Sequence, residues 1–239
     1  MSLELILSEQ QLKSIKTRIV PSTLKIYPNL QQEIDKSWEL FLKEMKHKGI
    51  KAWNGKKYRF ESIDDHTINL SETDFKTNLC LRRIGQMQLR NNAVVVANIM
   101  TNDNYLVFGR RKNVGVNEGT VAWIAAGVEP IENSTDLLSD NMKVELKEEL
   151  GLNQDDYSLS LDVVAKFCDQ GIYGFHFDTY TKLSKDQILE KFSQAEHKDE
   201  HSELLFYENN EEGISKLKNE KDMLPEVVEF FSKFYEFKY

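Results

Sequence analysis

Apolar positions recur along this chain with two different periods, and the switches between them mark its elements. In "NLQQEIDKSWELFLKEMKHKG", Leu30, Ile34, Trp38, Phe41, Leu42 and Met45 return every three or four residues, which predicts an amphipathic helix with Asn29 as N-cap and Gly49 beyond its end. "KKYRFESI" and "HTINL", with Asp64 and Asp65 between them, predict a hairpin, and Asn54 and Gly55 turn the chain ahead of it. From about Asn91 the β runs lengthen. "AVVVANIM", a turn at Asn102 to Asn104, "YLVFGRR" and "TVAWIAAG" predict strands that pair as neighbours. Helical spacing returns from roughly Ser134 to Leu150, with Met142, Leu146 and Leu150 as the apolar stripe and Gly151 as a left-handed stop. "SLSLDVVAKFCD" and "GIYGFHFDTYTKL" predict a second hairpin. A helix over "SKDQILEKFSQ", a strand at "ELLFYE" and a terminal helix docked through Val227, Val228, Phe231, Phe234 and Tyr235 complete the chain.

This order predicts an α/β protein with an N-terminal α+β extension over residues 1–88 and a larger domain over residues 89–239. At 239 residues, 40% of them hydrophobic and 29% charged, the chain can bury a substantial core and has no repeats or low-complexity linker. No run reaches the length of a membrane span, and "MSLELILSEQQLK" lacks a basic leader and cleavage site, so the expectation is a cytoplasmic protein without a membrane partner. Cys80 and Cys168 are too few for a disulfide framework or a thiolate metal site, in keeping with a reducing compartment. A net charge of -8 argues against a nucleic-acid polymer as partner, which would call for a basic face. It does not exclude a small phosphate compound, because a metal ion and local arginines can join an acidic protein to a phosphate.

The densest chemistry lies in "VELKEELGL". Glu145, Glu148 and Glu149 stand at i, i+3 and i+4 on one helical face, where each close pair costs about 0.2–0.5 kcal/mol. Lys143 and Lys147 are one or two residues away and point elsewhere, and no cation stands three or four positions from any of the three. Such a face is either a solvated charge run or a site for a hard cation, since Mg2+ takes carboxylate oxygens, water and substrate phosphate as ligands. Arg110 and Arg111, at the end of "YLVFGRR", are candidates for gripping phosphate oxygens, and strand alternation lets only one of them face a common site.

A strand, turn, strand, loop, strand, then a glutamate-bearing helix ended by glycine, resembles the Nudix box, whose pattern is Gly-x5-Glu-x7-Arg-Glu-U-x-Glu-Glu-x-Gly-U with U a bulky apolar residue. Glu145 to Leu152 matches the second half after its arginine, and Val144 stands in the arginine's place. "AAGVEPIE" resembles the opening, with Gly127 as its glycine and Glu132 as the upstream glutamate. The first gap is one residue short, and the stretch from Glu132 to Val144 is about four residues longer than the pattern. The resemblance covers about Asn91 to Tyr239 and implies an α/β/α sandwich around a mixed sheet.

The resemblance also implies an activity: hydrolysis of a nucleoside diphosphate linked to another group, with release of a nucleoside monophosphate. Glu145, Glu148 and Glu149 would bind Mg2+, with Mn2+ as an alternative, joined by a backbone carbonyl near Gly127. Glu148 and Glu149 would serve catalysis, and Glu200, in the loop before "ELLFYE", would be the general base or a further ligand. His197 and His201 in that loop read as part of a solvated polar segment. The missing arginine, which ordinarily orients the glutamates, bears on catalysis more than on metal binding. "WNGKKYRF", "GRRKNVGVNEGTVAWIAAGVEP" and the lengthened box are similar to the Nudix branch that hydrolyses UDP-glucose and related sugars, which implies substrate roles for Asn54 and Arg59. ADP-ribose or a dinucleotide, or a degenerate domain that binds nucleotide without turnover, are the alternatives.

Overall fold

The structure, a computed structural model, describes residues 2–7, 12, 15–64, 66–112 and 117–235. Asp65, placed by sequence in a hairpin turn, and residues 113–116 of the loop after "GRRK" lie outside the described residues. The strands are β1 (Leu3–Leu7), β2 (Lys16–Ile19), β3 (Lys56–Asp64), β4 (Thr67–Asp74), β5 (Asn92–Met100), β6 (Tyr105–Arg111), β7 (Val121–Ala122), β8 (Ile124–Gly127), β9 (Tyr157–Phe167), β10 (Ile172–Thr181) and β11 (His201–Glu208). The helices are α1 (Pro28–His47), α2 (Phe75–Arg83), α3 (Leu137–Leu150), α4 (Lys185–Gln194), α5 (Glu211–Asn219) and α6 (Pro225–Lys233).

The strands join in a mixed sheet with the order β1-β9-β10-β5-β3-β4-β2. Strand β5 is its axis. One edge runs parallel to β10 over its full length, while the other is shared by β3 at Asn92, β8 at Val94–Ala97 and β6 at Ile99 and Met100. Strand β6 carries β11 and β7 away from that fork. Alternation along β5 sends Ala93, Val95, Ala97 and Ile99 to one face, where they pack with Leu138, Met142, Leu146 and Leu150 of α3 and Ile188 of α4. Val94 and Val96 point to the other face, against Ile214 and Leu217 of α5 and Val227, Phe230 and Phe231 of α6. Helices on both faces of a mixed sheet make the α/β/α sandwich, and among the described residues no helix is long and apolar enough to cross a membrane.

The N-terminal strands are built into this same sheet, and Phe60 of β3 stacks on Tyr173 of β10 with centroids 3.9 Å apart. Helices α1 and α2 pack on each other through Ile34, Phe41, Met45, Leu79, Cys80 and Leu81. Helix α1 starts one residue before the expected cap: Tyr27 is the N-cap without a side-chain bond, and Pro28 takes the first helical position, where its fixed φ suits the helix and its missing N–H costs nothing. The "TVAWIAAG" run is broken at Trp123. Its first part pairs with β6 and its second with β5, so two short strands replace one.

Candidate functional site

Helix α3 begins at Asp136, whose carboxylate accepts from the Ser139 N–H, and stops at Gly151 with φ 70°. Its apolar stripe fixes its roll on the sheet, so the glutamate face follows from burial of Met142, Leu146 and Leu150. Glu149 is 6% exposed, and Glu145 and Glu148 are half-buried. Burial, with Glu149 and Glu148 beside it, holds the Glu145 carboxyl well above the usual carboxylate range. Burial and the nearby Glu200 do the same to Glu149, and Glu145 and Glu149 lie close enough to share a hydrogen bond. Two carboxylates that resist joint ionisation are what a bound cation would relieve.

The loop before β11 docks on this face. The backbone N–H of His197 donates to Glu148 O at 2.8 Å, and its Nδ1 lies 3.3 Å from Glu148 Oε2 and 3.9 Å from Glu200 Oε1. Glu200 is held by its own carbonyl, which accepts from Lys112 N–H at 2.7 Å, and its charge is felt by both Glu145 and Glu149. His201 does not belong to a solvated segment. It is 5% exposed, and its Nε2 is 2.8 Å from Glu149 Oε2. Burial, with Arg111 beside it, pushes the imidazole down to about 4, so the ring is neutral at pH 7. Nδ1 has no partner and packs on the Gly109 backbone; the single ring proton therefore belongs on Nε2 and donates to Glu149. A Cβ on Gly109 would stand 2.2 Å from Nδ1, so only glycine leaves room for the ring.

The two arginines of β6 part as alternation requires. Arg110 turns away and is engaged by Glu203 at 2.7 Å, Asp222 at 3.2 Å, Glu220 at 3.8 Å and the Gly119 carbonyl at 3.2 Å. Arg111 turns towards Glu149 and Glu200, whose charges favour its protonated form against burial, yet among the described residues it makes no ion pair with either, and its Nε, shut from solvent, has no partner. Asn54 and Arg59 are both engaged within the N-terminal unit. The Asn54 side chain accepts from the Lys76 N–H at the start of α2, and Arg59, 3% exposed, is paired with Glu61 at 2.6 Å. At the other end of the glutamate face, Lys57 of β3 lies 3.4 Å from the Gly127 carbonyl, pairs with Glu129 and lowers the cost of charging Glu145.

Glu145 and Glu149 are the two carboxylates of α3 that lie together, and the Gly127 carbonyl accepts from Lys57. Glu148 is turned to His197. Among the described residues no three His, Cys, Asp or Glu side chains are gathered closely enough to hold a metal ion. Sequence reasoning missed His201, Gly109 and Lys57 as parts of this neighbourhood; the four-residue spacing of His197 and His201 was the one visible signal.

No protein-family model and no curated protein sequence matches the chain. It is similar in structure to DR0079 from Deinococcus radiodurans, with 12% identity, 61% of this chain and 84% of that one covered, and a TM-score of 0.45. It is also similar to the MutT protein from Methanosarcina mazei Go1 (19% identity, 60% and 91% covered, TM-score 0.41) and to a mutT/nudix family protein from Listeria innocua (13%, 60% and 90%, 0.43).

Proposed function

We propose that this protein is a Nudix-type hydrolase that cleaves the diphosphate of a nucleoside diphosphate derivative, a nucleotide sugar such as UDP-glucose before others, releasing a nucleoside monophosphate and a sugar phosphate. One observation carries the reading: half-buried Glu145 and buried Glu149 lie one turn apart on α3, each resisting ionisation, with the Arg111 guanidinium facing Glu149 and Glu200 and, among the described residues, ion-paired to neither. The fold gains nothing from such an arrangement unless cation and phosphate complete it.

In this reading Glu145 and Glu149 hold Mg2+ or Mn2+, with Glu148 joining once it leaves His197 and the Gly127 carbonyl as a neighbouring ligand. The bound ion supplies positive charge to the phosphoryl oxygens and acidifies water. His201 holds the Glu149 carboxylate in place, as buried partners orient metal ligands. Glu200, with its side chain 42% exposed beside the cluster, takes the proton of an attacking water in this reading. Arg111 grips the phosphate oxygens as charge builds on them. The sugar nucleotide rests on the "WNGKKYRF" resemblance alone, because Asn54 and Arg59 serve the fold of the N-terminal unit.

The test is a panel of UDP-glucose, ADP-ribose and dinucleoside polyphosphates incubated with Mg2+ or Mn2+, with monophosphate release as readout. Release from UDP-glucose above the others supports the full reading, and release from another compound corrects the substrate. Val144, 40% exposed where the Nudix pattern has arginine, favours a second reading in which nucleotide is bound without turnover. Calorimetric binding with no release from any compound would establish that one.

A further inference from the structure

The N-terminal unit places a second guanidinium beside Arg111. Arg82, in the last turn of α2, donates from Nη2 to Asn117 Oδ1 at 3.0 Å. Asn117 belongs to the turn that Arg111 closes: Gly119 N–H donates to Arg111 O at 2.8 Å, Arg111 N–H to Thr120 O at 2.8 Å, and Thr120 N–H to Asn117 O at 3.3 Å. Among the described residues Arg82 makes no ion pair, and residues 113–116, an Asn, two Val and a Gly, contain no acid to supply one. Arg82 and Arg111 repel each other, and Arg82 also repels Arg90, which is buried and bonded to the Asn78 and Gln170 carbonyls. A cavity of about 430 Å³ opens on the Arg82 side of this turn, lined by Leu79, Arg82, Arg83, Met87, Asn117 and Gln170.

Counterion duty towards Glu149 does not account for this. Arg111 faces the carboxylates, and Arg82 adds positive charge where Arg111 and Arg90 already supply it. Arg83, next in sequence, shows the ordinary alternative, a bidentate pair with Glu44 at 2.6 and 3.0 Å. A guanidinium with its Nε sequestered and unpartnered, and a second held near it by a neutral amide, have the donor chemistry for an anion that presents several oxygens at once.

We propose that Arg82 and Arg111 together form an anion subsite for a phosphate group of the substrate, so that the active site is composite and the N-terminal unit supplies half of its phosphate grip. This rests on the hydrolase reading above for the identity of the anion, though not for its binding. The phosphate farther from the glutamates falls to Arg82, the nearer one to Arg111.

Inorganic pyrophosphate is the probe, since its binding needs no turnover. Calorimetry, with and without Mg2+, compares the intact chain with Arg82→Gln, Arg82→Lys and Arg18→Gln, a remote exposed arginine, each checked for an unchanged thermal midpoint. Loss of about tenfold or more in affinity for Arg82→Gln, partial return in Arg82→Lys and no change in Arg18→Gln are expected. In the hydrolysis assay Arg82→Gln should raise KM by a similar factor and lower kcat less. Failure of the wild type to bind pyrophosphate under either condition, or equal affinity of Arg82→Gln and wild type, overturns the subsite. If pyrophosphate binding depends on Arg82 while no compound is hydrolysed, the subsite stands and the hydrolase reading falls. Turnover with KM and pyrophosphate affinity untouched by Arg82→Gln gives the reverse.

Discussion

Single side chains here are set by what lies behind them. The Nε2–H of His201 fixes Glu149 only because Gly109 leaves space for the ring, so Gly109→Ala should act as a mutation of His201. It should cost about 1–3 kcal/mol, the range for leaving a buried carboxylate without its donor, and lower the thermal midpoint by several degrees. Adding His201→Ala to Gly109→Ala should then cost little more, whereas two independent effects would add. Full additivity in that cycle would detach Gly109 from the Glu149 contact. A second buried imidazole, His176, makes no use of its nitrogens. It stacks on Phe230 at 4.2 Å, is wholly enclosed, and both ring nitrogens lack partners. Burial pushes it from 6.5 down to about 3. Below pH 6.5 the unfolded chain therefore binds a proton that the folded chain refuses, and stability falls as pH drops from 6.5 towards 3. From pH 6.5 to 5 the loss is about 1.6 kcal/mol, the slope rising towards 1.36 kcal/mol for each unit as the unfolded imidazole becomes fully protonated. Denaturant titrations of wild type and His176→Phe over this range should diverge by that amount. The carboxylates titrate in both proteins and cancel in the comparison; parallel curves would mean the imidazole finds a proton-accepting route in the native state.

Elements show why some of this was legible in sequence. Helix α3 was readable because its signals are local: a stripe at Met142, Leu146 and Leu150, three glutamates at helical spacing, and a glycine stop. That stop invites a direct check. Gly151 has φ 70°, and a Cβ there would lie 2.9 Å from the Lys191 carbonyl of α4, so Gly151→Ala should cost about 2 kcal/mol and lower the midpoint by about 4–8 °C. A shift under about 1 °C would show that the helix end can re-form without the left-handed turn. Helix α2 was not readable, because "FKTNLCLRR" buries Asn78 along with Leu79, Cys80 and Leu81 and so blurs the apolar period, although the Asp74 carboxylate caps it through Thr77 N–H at 2.7 Å. His201 was hidden for a different reason. It reaches Glu149 across 52 residues through the β6–β11 ladder, whose register sets it opposite Arg111, and long-range register leaves no trace in local periodicity. The same ladder decided between Arg110 and Arg111. Alternation predicted that they would part, while only the pairing of β6 shows which of them turns to the carboxylates.

At the scale of the whole molecule, the glutamate face connects ligand binding to global stability. The N-terminal strands share the sheet with β5, and α3 packs on that strand from one side, so no boundary in the sheet separates the glutamates from the bulk of the core. A cation that binds only the folded state should therefore raise the thermal midpoint of the entire protein in one transition, by RT ln(1 + [L]/Kd), about 1.4 kcal/mol at tenfold over Kd. At about 2–4 °C for each kcal/mol in a chain of this size, Mg2+ at that level should shift the wild type by about 3–6 °C. Replacing Glu145, Glu148 and Glu149 together by glutamine should abolish the shift, because amides keep the shape and lose the charge. The metal-free triple variant should melt no lower than the wild type. Burial holds both Glu145 and Glu149 above their ordinary range, with Glu149 and Glu148 adding to it for Glu145 and Glu200 for Glu149, and neutral amides escape that cost, although His201 keeps a partner on residue 149. A differential scan of the two proteins with and without Mg2+ reads both effects. Equal shifts would place any metal site away from α3, and a metal-free variant several degrees below the wild type would mean that the three carboxylates stabilise the fold by hydrogen bonding and are not strained by their proximity.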